Sequence, residues 1–201
     1  MKLSKINNLL LIVIIVVDGY VVLAPVLPAI VYRWQSHEGR QQQLSREIHL
    51  VTANKTTTNP TPVATTQGNH VVIPSMILDQ PILEGPVSQT YKILDNGIWR
   101  WPRGSTPDKG GNTVLIGHRF TYTNPRGVFY YLNKVSIGDE IGVFWNSKEY
   151  IYKVATINVV PPTDTAIEDS STQPELTLFT CTPLLLPKNR LVVVADLEPN
   201  P

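Results

Sequence analysis

The only cysteine of this chain, a histidine and an arginine stand at the ends of three apolar runs. Leu176-Thr177-Leu178-Phe179-Thr180-Cys181 reads as a strand ending on the thiol, and Arg190, nine residues on, opens the run Leu191-Val192-Val193-Val194. Asn112-Thr113-Val114-Leu115-Ile116-Gly117 leads in the same way into His118. Strand ends are where rigid scaffolds usually present chemistry. A thiol becomes a good nucleophile as its thiolate, which a neighbouring cation favours. His118 could supply that cation and later the proton for a leaving amine. Arg190 cannot act as a base, but its fork of donors can hold an oxyanion or a carbonyl. The three groups are complementary, and the chemistry they fit is acyl transfer at a peptide bond.

Each residue also has a blander reading. A cysteine ending an apolar strand is by default a buried small hydrophobe. A histidine in Gly117-His118-Arg119 is by default a hydrogen-bonded loop residue, and an arginine at a strand start a solvated charge. His37, His49 and His70 precede the globular pattern or stand at its start and carry only that reading, and no His/Cys/Asp/Glu cluster has metal-ligand spacing. A lone cysteine excludes an intramolecular disulfide, so the fold must rest on its hydrophobic core. The net charge of +1, with no clustered basic face, excludes a nucleic-acid footprint.

The elements that must position these groups are mostly strands. Short β-type runs follow one another from His70: Val71-Val72-Ile73, Thr113 to Gly117, Ile141 to Trp145, Tyr150 to Val160, Leu176 to Cys181 and Leu191 to Ala195. Asn146-Ser147-Lys148 reads as a hairpin turn. Helical signals are confined to Val87–Leu94 and to Gly127–Leu132, the second preceded by the start signal Asn124-Pro125. Strands with sparse helices predict an all-β, closed or nearly closed barrel over residues 70–201.

Residues 1–32 read differently. Leu9 to Val31 is almost wholly aliphatic and of membrane-spanning length. Asp18 in its middle costs about 2.5–3.5 kcal/mol on insertion scales. The many Leu, Ile and Val around it return about 0.3–0.6 kcal/mol each, so insertion wins. A cleavable signal is the rival, since Val22-Leu23-Ala24 loosely fits a cleavage site, but Pro25 directly after it opposes cleavage. Lys2 and Lys5 face Arg33 and Arg40 across the segment, so charge alone leaves the orientation open. Residues 33–69 are predicted as a juxtamembrane segment, with a short helix within Arg33–Leu50, and a Thr/Pro-rich extended stalk from Val51 to Asn69.

The neighbours of the three candidate residues carry a resemblance. Thr177-Leu178-Phe179-Thr180-Cys181 is similar to the Thr-Leu-x-Thr-Cys signature of the sortase family, and the order His, Cys, Arg is that family's order. Val72-Ile73-Pro74, Gly111 to Arg119, Gly138-Asp139-Glu140-Ile141 and Arg190 to Ala195 resemble further sortase landmarks, so the likeness covers residues 70–201. Papain-like proteases place Cys before His, which argues against them. The stretch Gly97-Ile98-Trp99-Arg100-Trp101-Pro102, with Gly117 to Tyr122, is most similar to class E sortases, with class D second. The Asp-Pro-aromatic lid motif usual in pilin-polymerising class C enzymes is not found upstream of the domain.

The resemblance implies a membrane-anchored cysteine transpeptidase on a closed β-barrel, its catalytic domain outside a bacterial cell. Such an enzyme cleaves a C-terminal Leu-Pro-x-Thr-Gly-like sorting signal of a secreted protein, holds the acyl group as a thioester and transfers it to an amine of a peptidoglycan precursor. Carried over, Cys181 is the nucleophile, His118 the general acid/base, Arg190 the oxyanion clamp and Thr180 a substrate-binding helper. No cofactor is implied. Calcium, which some sortases use, would need acidic loops, for which Glu84, Asp164, Glu168 and Asp169 are available, although most such residues are simply solvated. A non-catalytic peptide-binding barrel and a hydrolytic cysteine protease remain as alternatives from other classes.

Overall fold

The computed structural model describes residues 2–37, 39–53, 68–123 and 125–199. Among these residues eight strands close into a barrel: β1 (His70–Ile73), β2 (Leu78–Leu83), β3 (Ile98–Arg100), β4 (Asn112–Ile116), β5 (Glu140–Trp145), β6 (Lys148–Val160), β7 (Glu175–Thr182) and β8 (Asn189–Leu197). Around the wall they run β1-β2-β3-β4-β7-β8-β6-β5, and β5 pairs back onto β1. The inward residues Leu115, Ile141, Val143, Leu176, Leu178, Val193 and Ala195 meet in one fully buried core. Val114, Phe179 and Val192 point the other way, yet they too are buried, under Trp101 and Ile167. β4, β7 and β8 are therefore covered on both faces, which is why they read as continuous apolar runs.

The six predicted strands are present within a few residues of their expected ends. β2 and β3 go beyond the expectation. β2 carries Asp79, Gln80 and Pro81 in its middle, a sequence that opposes a strand. β3 is three residues long, below the length at which alternation is readable. The predicted helical stretch Val87–Leu94 is a 3₁₀ turn, Val87–Gln89, followed by α4 (Thr90–Leu94). At Gly127–Leu132 the chain forms turns, with a single 3₁₀ turn only at Leu132–Lys134, and Asn124 of its start signal lies outside the described residues.

Three helices precede the barrel: α1 (Lys2–Leu23), α2 (Leu27–His37) and α3 (Arg40–Ala53). Within α1, Lys5–Leu23 has a mean hydropathy of 2.3 and none of its residues is buried, so it is long and apolar enough to cross a membrane. Helix α1 ends just before Pro25, and the break is tied to the barrel by tyrosines. Tyr130 and Tyr131 donate hydrogen bonds to the carbonyls of Pro25 and Pro28, and Tyr32 donates to the Ser75 carbonyl at 2.7 Å. Tyr20 donates to the Tyr122 carbonyl at 2.6 Å.

The expected juxtamembrane helix is α3, and it is not a free spacer. Leu44 and Ile48, one turn apart, are buried against Val72 of β1 and Phe144 of β5. Gly142 makes room for them, since a Cβ there would stand 3.0 Å from Ile48 Cγ1. Leu44, Ile48 and Val51 make a short stripe in an otherwise polar run, too brief to separate a wall element from a solvated spacer by sequence. Of the predicted stalk, residues 51–53 end α3, and residues 54–67 lie outside the described residues.

Candidate active site

Strand register brings the three candidate residues together. In the antiparallel pair β7/β8, Cys181 lies directly opposite Arg190, and the turn between the strands accounts for their nine-residue separation. Arg190 Nη1 donates to Cys181 Sγ at 3.3 Å. β4 runs parallel to β7 with Ile116 opposite Phe179. Two residues beyond that pair, the chain reaches His118 on one strand and Cys181 on the other. His118, Cys181 and Arg190 all line one cleft of about 590 Å³.

Thr180 also borders this cleft, but it is 1% exposed and its hydroxyl donates to the Gly117 carbonyl at 2.7 Å. That bond ties the residue before Cys181 to the residue before His118. Gly117 and Gly127 let the next segment pack onto the His118 turn. A Cβ on Gly117 would stand 2.6 Å from Val128, and one on Gly127 only 2.3 Å from the His118 carbonyl oxygen. The freed approach lets the Phe129 N–H donate to that carbonyl at 3.0 Å.

Burial pushes the His118 imidazole below its ordinary value of 6.5, because the desolvated ring favours its neutral form, and the Asp95 carboxylate opposes this. Asp95 Oδ1, at the C-terminal end of α4, stands 3.7 Å from His118 Nε2. Glu168 is raised by burial and held back by the guanidinium groups of Arg103 and Arg190. The apolar lining comes from Tyr91, Leu94, Trp99, Trp101, Ile167 and Phe179. Trp99 and Trp101 meet edge to face at 5.3 Å, and Trp99 Nε1 donates to the Gly85 carbonyl, so the two indoles are fixed. An apolar trough leading to a thiol flanked by a cation suits an extended peptide whose carbonyl reaches Cys181.

Two neighbours escaped the sequence reading. Asp95 follows α4 and meets His118 only through the barrel's closure; its Asp-Asn-Gly context signals a turn and nothing more. Arg119 Nη1 donates to Thr182 Oγ1 at 2.8 Å, clasping the strand ends that carry His118 and Cys181. Of the acidic loop residues considered for calcium, Glu84 is paired with Arg100 at 2.8 Å, and Asp164 and Glu168 border the cleft. No group of three or more His, Cys, Asp or Glu able to hold a metal ion gathers among the described residues.

A closed eight-stranded barrel with a Cys–Arg cross-strand pair and a histidine on the adjoining strand end is an arrangement able to carry cysteine acyl transfer. The family model for the sortase domain matches residues 71–198, and the chain belongs to the sortase family of cysteine transpeptidases. Sortase SrtE1 of Streptomyces coelicolor is 35% identical over 136 residues, covering 60% of this chain and 37% of that protein. Sortase D of Bacillus subtilis is 30% identical over 112 residues, covering 55% of this chain and 52% of that protein. The match thus spans between about a third and a half of the length of these relatives. Among solved structures, Sortase E1 of Streptomyces coelicolor, with a tripeptide in its active site, superposes with a TM-score of 0.56 at 32% identity, covering 66% of this chain and 89% of that one. A Clostridium perfringens Sortase D5 transpeptidase gives a TM-score of 0.57 at 25% identity, covering 66% and 79%. Relatives of types E and D, the two the sequence resembles, are thus both represented.

Proposed function

We propose that this chain is a membrane-anchored transpeptidase that cleaves a Leu-Pro-x-Thr-Gly-like sorting signal near the C-terminus of a secreted protein and passes the acyl group to a cell-wall amine. The observation that carries the reading is the Cys181–Arg190 pair at 3.3 Å, in one cleft with His118. The Cys181 thiolate adds to the carbonyl of the scissile bond, and the developing oxyanion is met by Arg190. The imidazolium of His118 then gives its proton to the departing amine as the C–N bond breaks, leaving a thioester on Cys181. An incoming amine attacks the thioester, neutral His118 takes its proton, and the thiolate departs with Arg190 beside it. Asp95 favours the charged imidazole and so the productive ion pair. Thr180, expected to help bind substrate, acts through its bond to Gly117 by fixing the spacing of the two strand ends. Arg119 does the same through Thr182.

In this reading α1 is the retained anchor, which places the barrel at the membrane surface with its catalytic face outside the cell. The secreted substrate and a peptidoglycan-precursor amine are then the partners. Intact-mass spectrometry after mixing the protein with sorting-signal peptides, without amine, tests the chemistry. An acyl adduct on Cys181 that disappears on adding a Gly- or diaminopimelate-type amine is expected. No adduct across a broad peptide panel would leave a peptide-binding barrel, and an adduct lost equally fast without amine a hydrolase.

A further inference from the structure

The β7–β8 turn, Pro183-Leu184-Leu185-Leu186-Pro187, has no role in the mechanism, yet Leu185 and Leu186 are 52% and 72% exposed. Its base is clasped by the Arg119–Thr182 bond. Three residues beyond Arg119 stands Tyr122, half exposed, with Phe120 packed edge to face on its ring at 5.1 Å. The carbonyl of Tyr122 accepts the hydroxyl of Tyr20. Tyr20 lies inside the apolar span Lys5–Leu23, three residues short of its end. At about 1.5 Å per residue, Tyr20 sits about 4.5 Å below that end, so the 120–122 loop hangs at the depth where headgroups meet acyl chains. Tyrosine rings favour that zone. Arg126 and Lys188, both exposed, stand on the same two segments and offer cations to phosphates.

We propose that the Tyr122 loop and the β7–β8 turn form a bilayer-contacting surface, with Tyr122, Leu185 and Leu186 seated in the interface of the leaflet that α1 leaves. The occupant is the lipid because the Tyr122 loop is bonded to the membrane helix itself and the β7–β8 turn is clasped to the start of that loop. Exposed leucines between two prolines on a tight turn then form a wedge, not a defect. The consequence is positional: the turn that follows Cys181 is held at the membrane, so the cleft opens along the bilayer surface and not away from it. The inference rests on α1 being the retained anchor.

The test uses the full chain in nanodiscs of phosphatidylcholine and phosphatidylglycerol. In a Cys181→Ala background, nitroxide labels are placed singly at Leu186→Cys, at Val13→Cys within α1, and at Ser147→Cys. Ser147 lies in the β5–β6 hairpin, at the barrel end opposite the β7–β8 turn. Collision with oxygen, which partitions into lipid, is compared with collision with a water-soluble nickel chelate. The oxygen-to-nickel ratio at position 186 should exceed that at 147 and approach that at 13. A ratio at 186 equal to that at 147, with 13 lipid-buried, would overturn the surface and leave the anchor standing. A water-like ratio at 13 would overturn both. If 186 is water-like and Leu186→Ser in the otherwise native chain also slows cleavage of a short soluble peptide, the turn belongs to the substrate instead.

Discussion

At the residue scale the proposed reaction turns on how far His118 can hold a proton. Burial lowers its affinity and Asp95, at 3.7 Å, restores part of it. Asp95→Asn leaves burial unopposed, so the imidazole should titrate lower still. The acid limb of the bell-shaped kcat/KM profile, if set by His118, should move to lower pH, and activity near pH 7 should fall with the imidazolium fraction. A profile unmoved by Asp95→Asn would remove Asp95 from the site. In the proposed reaction Arg190 acts through geometry as well as charge. Arg190→Ala should lose about 10²-fold or more in turnover, the scale of removing an oxyanion donor. Arg190→Lys should restore little, because an ammonium cannot reproduce the fork. Steady-state kinetics on a sorting-signal peptide measures both, and near-native turnover in the alanine variant would exclude Arg190 from the reaction. The chain order and strand-end positions of His118, Cys181 and Arg190 were legible in sequence, because where an apolar run ends is a local property, whereas the register that sets Cys181 opposite Arg190 belongs to the paired strands. Asp95 was not, since its contact with His118 depends on closure between segments with no shared pattern.

At the scale of elements, α3 changes what counts as the folded unit. The polar composition of residues 33–69 reads as spacer, yet Ile48 is fully buried and Leu44 nearly so on the outer wall of β1 and β5. Ile48→Ala should destabilise the barrel by about 2–4 kcal/mol, the usual range for emptying a buried aliphatic site. A chain beginning at Asn69 should fold with a lower Tm than one beginning at Arg40, because it leaves Val72 and Phe144 uncovered. Thermal melts of the two truncations, both lacking α1, measure the difference, and equal Tm values would show that α3 adds nothing. The strands that escaped sequence reading, β2 and β3, are the ones that the barrel imposes. β2 holds Pro81 opposite His70, and β3 contributes only two paired positions to each neighbour. Their pairing is bought by closure of the sheet, which removes its edges, and not by local propensity. On β7/β8 the register also sets Glu175 opposite Asp196. Burial raises the Glu175 carboxyl, and the Asp196 charge adds to that. Like charges directly opposite on a sheet are destabilising, so Glu175→Gln should raise stability at neutral pH by about 0.2–1 kcal/mol.

At the scale of the whole molecule, the site leaves a signature in stability that is independent of any substrate. The folded protein holds His118 below 6.5, whereas the unfolded chain titrates it near that value. As pH falls below about 6.5 the unfolded chain takes up this proton first, so it binds more protons than the native state and stability declines. On raising the pH the contribution returns and is complete once the unfolded imidazole is neutral. Glu168 and Glu175, whose folded carboxyls are raised above 4.5, act with the opposite sign. The native state keeps their protons longer, so their contribution is present below about 4.5 and is lost as pH rises through their folded values. The two effects slope against each other, and only the first depends on the His118 imidazole. Chemical denaturation from about pH 5.5 to 7.5 should therefore show stability rising with pH in the native chain, and His118→Gln should remove part of that rise while leaving the more acidic behaviour unchanged. Asp95→Asn should make it steeper, since the folded imidazole is then lower still. An unchanged slope in His118→Gln would mean that the imidazole is as free to protonate in the folded barrel as in the unfolded chain, and burial would no longer be the force that Asp95 has to oppose to keep the ring charged.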